Sequence, residues 1–142
     1  MMTEKITQYL ENNEVKLLPE YQERNKKFLV ENGYDENSSF VQFMTMYSDE
    51  ILGSEGHLSD VVGDLMDYTE SSFNYQMHTI DRVPSNFISL TDDITGLYLL
   101  YNKNNDNVVL IEGANLKNLL ESRFDKQWSA FNDFLADFFQ ID

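Results

Sequence analysis

"SLTDDITGLYLLYNKNNDNVVLIEG", residues 89–113, is the stretch on which the fold turns. The runs "GLYLLYN" (96–102) and "NVVLIEG" (107–113) are rich in β-branched and aromatic residues, which suit a pleated surface. "KNNDN" (103–107) joins them with Asn and Asp side chains that tolerate left-handed turn conformations. Two apolar runs joined in this way predict a β-hairpin. Both runs are apolar at nearly every position, so both faces of the hairpin are expected to be covered. "NFISL" (86–90) reads as a further short strand. Asp92 and Asp93 then fall on a turn that ends at Gly96. Adjacent carboxylates in a strand point to opposite faces, so these two could share a proton or a metal only on such a turn. A solvated turn is the simpler reading.

Upstream of Pro84 the period is helical. Ile6, Tyr9 and Leu10 form a short apolar face, and Leu17, Leu18, Tyr21, Phe28 and Leu29 a longer one. Gly33 suits the position after a helix end, and Ser38 or Ser39 suits the next N-cap. Phe40, Phe43, Met44 and Tyr47 make the following stripe, which "DEILGSEGHL" (49–58) interrupts with two glycines. Val61, Leu65 and Tyr68 line one face of another helix, with Val62 and Met66 beside them. Downstream, Trp128, Phe131, Leu135 and Phe138 recur at helical spacing and predict a closing helix over the sheet. Helices, a hairpin region and a closing helix make an α+β domain, with a mixed, largely antiparallel sheet and helices packed on it. One domain over residues 1–142 is expected, a size at which about two thirds of the unfolded surface is buried.

Composition narrows the function classes. There are no cysteines, so disulfides and thiolate metal sites are excluded and a reducing compartment fits. The opening "MMTEKITQYLENNE" carries charge at once, and no apolar run reaches membrane-spanning length. A soluble, cytoplasmic chain is the expectation. The net charge is −15, and it is unevenly spread. Residues 1–27 hold five acids and five bases, and residues 82–142 nine acids and five bases, whereas residues 28–81 hold eleven acids and no Lys or Arg. Such a field repels nucleic acid and anionic membranes and steers cationic partners toward it.

The chemical motifs are few. Asn102, Asn104 and Asp106 match positions 1, 3 and 5 of a calcium loop. Asn107 stands where that loop needs Gly and Gly113 where it needs a bidentate Glu, so no calcium site is expected. His57 and His78 lack the spacing of a zinc pair. A His with Asp60 nearby could serve as a base, yet no nucleophile motif accompanies it. Asp60, Asp64 and Asp67 fall at i, i+4 and i+7 of the predicted helix, opposite Val61, Val62 and Leu65. Like charges at i, i+4 cost roughly 0.2–0.5 kcal/mol per pair. Glu70 extends this acidic face and Tyr68 lies near it. A solvated helix face and an interface for a basic partner are the two readings.

Three pieces of the chain resemble the SUKH superfamily, named in part for yeast cell-wall-assembly regulators. "SSFVQFMTMYSDEILGSEGHLSDV" (38–61) is similar to the family's amphipathic helix, glycine-containing turn and short apolar segment, and "LLPEYQERNKKFLVENG" (17–33) is a rival for the same element. "FISLTDDITGLYLLYNKNNDNVVLIE" (87–112) is similar to its strand, acidic turn and hairpin, and "WSAFNDFLADFF" (128–139) to its closing helix. The family's Leu-Pro-x-x-Tyr and Asn-Gly landmarks are present only in part. The resemblance implies an α+β domain without chemistry or cofactor of its own. It also implies an immunity protein that binds and blocks a secreted toxin, often a nuclease with a basic surface. The cell-wall members imply the alternative of a regulatory protein-interaction module. On these grounds Asp60, Asp64, Asp67 and Glu70 are expected to supply charge to a partner and Tyr68 an anchor, with Asp92 and Asp93 beside them. A third possibility, an enzyme acting on sugar or phosphate, needs two carboxylates converging about 5–10 Å apart.

Overall fold

The computed structural model describes residues 1–92 and 96–142. The hairpin forms from β4 (Leu97–Asn102) and β5 (Val108–Glu112), paired antiparallel from Leu97↔Glu112 to Tyr101↔Val108. Its turn is closed by the polar knot itself. Asp106 takes a left-handed φ of 67° and donates its N–H to Asn102 O at 2.9 Å, while Asn102 Oδ1 accepts from Asn104 N and Asn105 Oδ1 from Asn107 N, each at 3.0 Å. Side chains thus do locally what a tight turn would otherwise require of glycine. β3 (Phe87–Ser89) pairs with β4, and β6 (Lys126–Trp128) with β5. The order is β3-β4-β5-β6, and every pairing among the described strands is antiparallel.

The alternation along β4 and β5 divides the interior between the two faces of this sheet. Leu99, Tyr101, Val108 and Leu110 join the larger core, built with α1 (Glu4–Asn13), α2 (Pro19–Glu31), α3 (Ser39–Tyr47) and α6 (Phe131–Phe138). Leu100, Val109 and Ile111 join a smaller core with Met77 and Leu119. Each buried Phe or Leu contributes roughly 1.5–3 kcal/mol. The larger core is organised around rings. Phe40 stacks on Tyr101 at 3.9 Å and 3°, and Phe131 meets both edge-on at 5.2 and 5.5 Å. Asp106 fastens this contact from the turn, accepting from Tyr101 Oη at 2.8 Å and from the Phe131 N–H at 3.2 Å. Burial and this hydrogen bond raise the Tyr101 phenol well above its ordinary range.

Helix ends follow local chemistry. Ser38 caps α3, its hydroxyl accepting from Val41 N, and Gly33 follows α2 with a φ of 86°. Pro19 opens α2, where its missing N–H costs nothing. The apolar face expected for α2 is narrower than its spacing. Leu18 and Tyr21 are exposed, whereas Asn25 is fully buried and donates its side-chain N–H to Met44 O at 3.3 Å. After α3 comes a small hairpin, β1 (Ile51–Gly53) with β2 (Gly56–Leu58), then α4 (Val61–Asp67) and α5 (Phe73–Thr79). The two glycines of that region therefore build strands and their turn instead of only breaking a helix. Gly53 lies against the Phe138 ring, so closely that a Cβ would overlap it. A nine-residue 3-10 helix (Gly113–Glu121) runs from β5 toward β6 and sets Leu119 into the smaller core. Trp128, expected on the closing helix, ends β6 instead. Its indole N–H donates to Asp137 on α6 at 3.0 Å, so it still packs with that helix.

Candidate functional site

α4 and α5 are both short, at seven residues each, and neither could be stable alone. The aspartates of α4 supply part of what holds them. Asp60 is the N-cap of α4: its Oδ1 accepts from Gly63 N at 3.0 Å and from Ser48 Oγ at 2.8 Å. Ser48 Oγ accepts in turn from Val62 N at 3.0 Å, so the end of α3 is stitched to the start of α4. Asp64 reaches the start of α5. Its two oxygens accept from Phe73 N at 2.7 Å and from Asn74 N and Nδ2 at 2.8 and 2.9 Å. Asp67 Oδ2 gathers the hydroxyls of Thr69, Ser71 and Ser72 at 2.9, 3.4 and 3.1 Å. The face predicted from the i, i+4, i+7 spacing is therefore a set of caps, and the donors on it offset the repulsion among the carboxylates.

These carboxylates wall a depression of about 360 Å³, together with Asp49, Glu50 and Asp92. Among the described residues, no Lys or Arg lines it. Asp60 Oδ2 and Asp67 Oδ1 accept no hydrogen bond among the described residues, so acceptor capacity remains after the caps are made. Asp92 reaches the depression from beyond β3 and bonds His57 Nε2 of β2 at 2.8 Å. Its side chain is 56 % exposed, so this pair positions Asp92 more than it stabilises the fold. Among the described residues, no group of three or more His, Cys, Asp or Glu is arranged to hold a metal ion. What the site offers is a fixed negative field lined with oxygen acceptors, the complement of ammonium and guanidinium groups.

Four of the predicted residues, Asp60, Asp64, Asp67 and Asp92, come together here. Tyr68 does not. It ends α4 in the left-handed conformation, with a φ of 39°, costing a non-glycine residue roughly 1–2 kcal/mol. Its ring lies with Leu65 in a second cleft, where its hydroxyl bonds His78 Nδ1 at 2.9 Å. His78 Nε2 lies 2.7 Å from the Phe87 carbonyl, which can only accept, so Nε2 donates there and the ring is held between the carbonyl and the tyrosine hydroxyl. Glu70 is exposed and outside the lining of the depression; its backbone carbonyl accepts from Gln76 Nε2 at 2.6 Å. Asp93 lies outside the described residues.

Asp49 and Glu50 are the members that spacing on a helix misses, because they follow α3 and are set beside α4 by the bonds of Ser48 to Asp60 and Val62. The one signal for them in the sequence is their place in the base-free segment 28–81. No described helix is long and apolar enough to cross a membrane. In comparisons with known proteins the chain matches no family model, no curated protein and no solved structure.

Proposed function

We propose that the chain is a non-enzymatic immunity protein, acting in the cytoplasm, that binds and neutralises a toxin with a basic surface, with a nuclease as the leading candidate. The observation that carries this reading is the depression itself: six carboxylates on one surface, with no cation among the lining residues. The SUKH-like order of strand, acidic turn, hairpin and closing helix adds to it. The caps on Asp60, Asp64 and Asp67 suit recognition, since a carboxylate held by several donors is preorganised as an acceptor. A nuclease presents cations where it grips phosphate, and these carboxylates would take the phosphate's place. Such a complex forms quickly and loses on-rate as salt rises.

The test begins with the immobilised protein and extract from its native source, at low and at high salt. A basic toxin captured at low salt and released at high salt is the expected result. Co-expression then checks function: the toxin should arrest growth alone and not in the presence of this chain. The triple variant Asp49→Asn, Glu50→Gln, Asp92→Asn should fold and fail to protect. Capture of a host protein that resists salt would replace this reading with the regulatory interaction module. Unchanged protection by the triple variant would remove the depression as the site.

A further inference from the structure

On the other side of α4 lies a second cleft of about 360 Å³, which shares no lining residue with the acidic depression. Its size falls within the range of small-molecule sites. Phe28, Leu65 and Ile88 supply apolar surface, and the rings of Tyr34 and Tyr68 supply aromatic faces. Tyr68 is fixed at both ends, by its left-handed backbone and by His78, and its ring meets Tyr75 edge-on at 5.2 Å. Lys103, in the β4–β5 turn, holds its Nζ 5.4 Å from the Tyr34 ring centroid, and its backbone N–H donates to Asn86 O at 3.0 Å. Its ammonium makes no ion pair among the described residues.

The charge pattern decides the ligand class. The chain has 25 acids against 10 bases, yet among the described residues no Asp or Glu lines this cleft. A cation beside an aromatic face, above apolar surface and without a carboxylate partner, is complementary to an anion with an apolar body. We propose that this cleft binds a small organic acid, its carboxylate on Lys103 Nζ and its aromatic or aliphatic body against Phe28, Leu65 and Ile88. Ser85 Oγ, which makes no hydrogen bond among the described residues, stands in the same lining as a further donor. This site is independent of the toxin-binding reading: it uses different residues and the opposite charge.

Phenylbutyrate and its uncharged amide, phenylbutyramide, make the test, titrated into the full chain and followed by backbone-amide NMR. The acid should give saturable shifts at Tyr34, Tyr68, His78 and Lys103, and bind about tenfold more tightly than the amide, a difference worth about 1.4 kcal/mol. Lys103→Met, an exposed turn substitution that leaves the fold intact, should remove that difference, and Lys103→Arg should keep it. Equal binding of acid and amide, saturable shifts centred elsewhere, or no saturable shift at the solubility limit of the acid would each overturn the proposal.

Discussion

Asp64 and Asn74 are locked to each other by two hydrogen bonds to a single carboxylate oxygen: Oδ2 accepts from the Asn74 backbone N–H at 2.8 Å and from its side-chain amide at 2.9 Å. The same Asn74 turns its Oδ1 to Ser89 N at 2.8 Å, so α4, α5 and β3 are tied through one side chain. An acid that looks exposed on a helical wheel is therefore a structural joint, and substituting it tests stability before it tests binding.

Asp64→Ala should destabilise the chain by several kcal/mol, since hydrogen bonds to a charged group contribute roughly 1.5–3 kcal/mol each and Asp64 accepts three. Asp64→Asn, which keeps an acceptor, should cost less. Urea denaturation at neutral pH measures both. An alanine variant as stable as the parent would show that the cap carries no weight.

Neutralising Asp49 and Glu50 should behave in the opposite way. Neither side chain caps a helix, and both sit among carboxylates with no cation beside them. The double variant Asp49→Asn, Glu50→Gln should keep or raise Tm, while the association rate with a basic partner falls and its salt dependence flattens. Stopped-flow association at two salt concentrations, beside a thermal melt, separates the effects. A lower Tm with unchanged association would contradict the assignment.

Gly53→Ala should cost about 1–3 kcal/mol, the usual range for overpacking, because its Cβ would enter the Phe138 ring. The loss should appear as a lower urea midpoint with an unchanged slope. Gly33→Ala gives a control of different origin: no atom lies in the way, and only its φ of 86° resists the side chain.

Alkaline pH should unfold the chain earlier than ordinary tyrosine titration would. Burial first, then the hydrogen bond to Asp81, pushes the Tyr98 phenol up to about 12 from 10.0. Tyr34, Tyr47 and Tyr101 are also raised, each mainly by burial. The sign follows from proton linkage. The folded phenol keeps its proton where the unfolded one loses it, so this stability is fully present below about pH 10 and lost as pH rises toward 12. Urea midpoints across that window should fall steeply, and Tyr98→Phe should flatten part of the fall. A midpoint independent of pH there would refute the shift.

Legibility in the sequence followed the strength of the local signal. The β4–β5 hairpin, the Ser38 cap and the left-handed Gly33 were readable because turn and cap chemistry is local. The covering of both sheet faces was readable from the lack of alternation in "LYLLYN" and "VVLIE". β1, β2 and β6 were not, since none lies in an apolar run like the "NFISL" that marked β3. Nor was α5, whose stripe is little more than Phe73 and Met77 and whose start depends on Asp64 from another element. The acidic face was legible as a spacing but not as a function of that spacing. Whether a carboxylate meets water or an amide depends on what the next loop brings, and Thr69, Ser71 and Ser72 bring donors. Tyr68 lies where its spacing from Leu65 puts it, on the side of α4 away from the acids, so nearness to them in sequence did not bring it into the depression.

Asn74 and His78, one turn apart on α5, meet the outer rim of β3 at Ser89 and at the Phe87 carbonyl. Their polar atoms occupy the positions that the backbone of a neighbouring strand would take. A second molecule cannot add itself to the sheet there without first dislodging a helix. The other rim, β6, is three residues long and bears Lys126, held by Glu55. A short edge carrying a lysine is a poor template for growth. Both ends of the four-stranded sheet are therefore closed to self-propagating strand pairing, which offsets the aggregation hazard of so apolar a central hairpin.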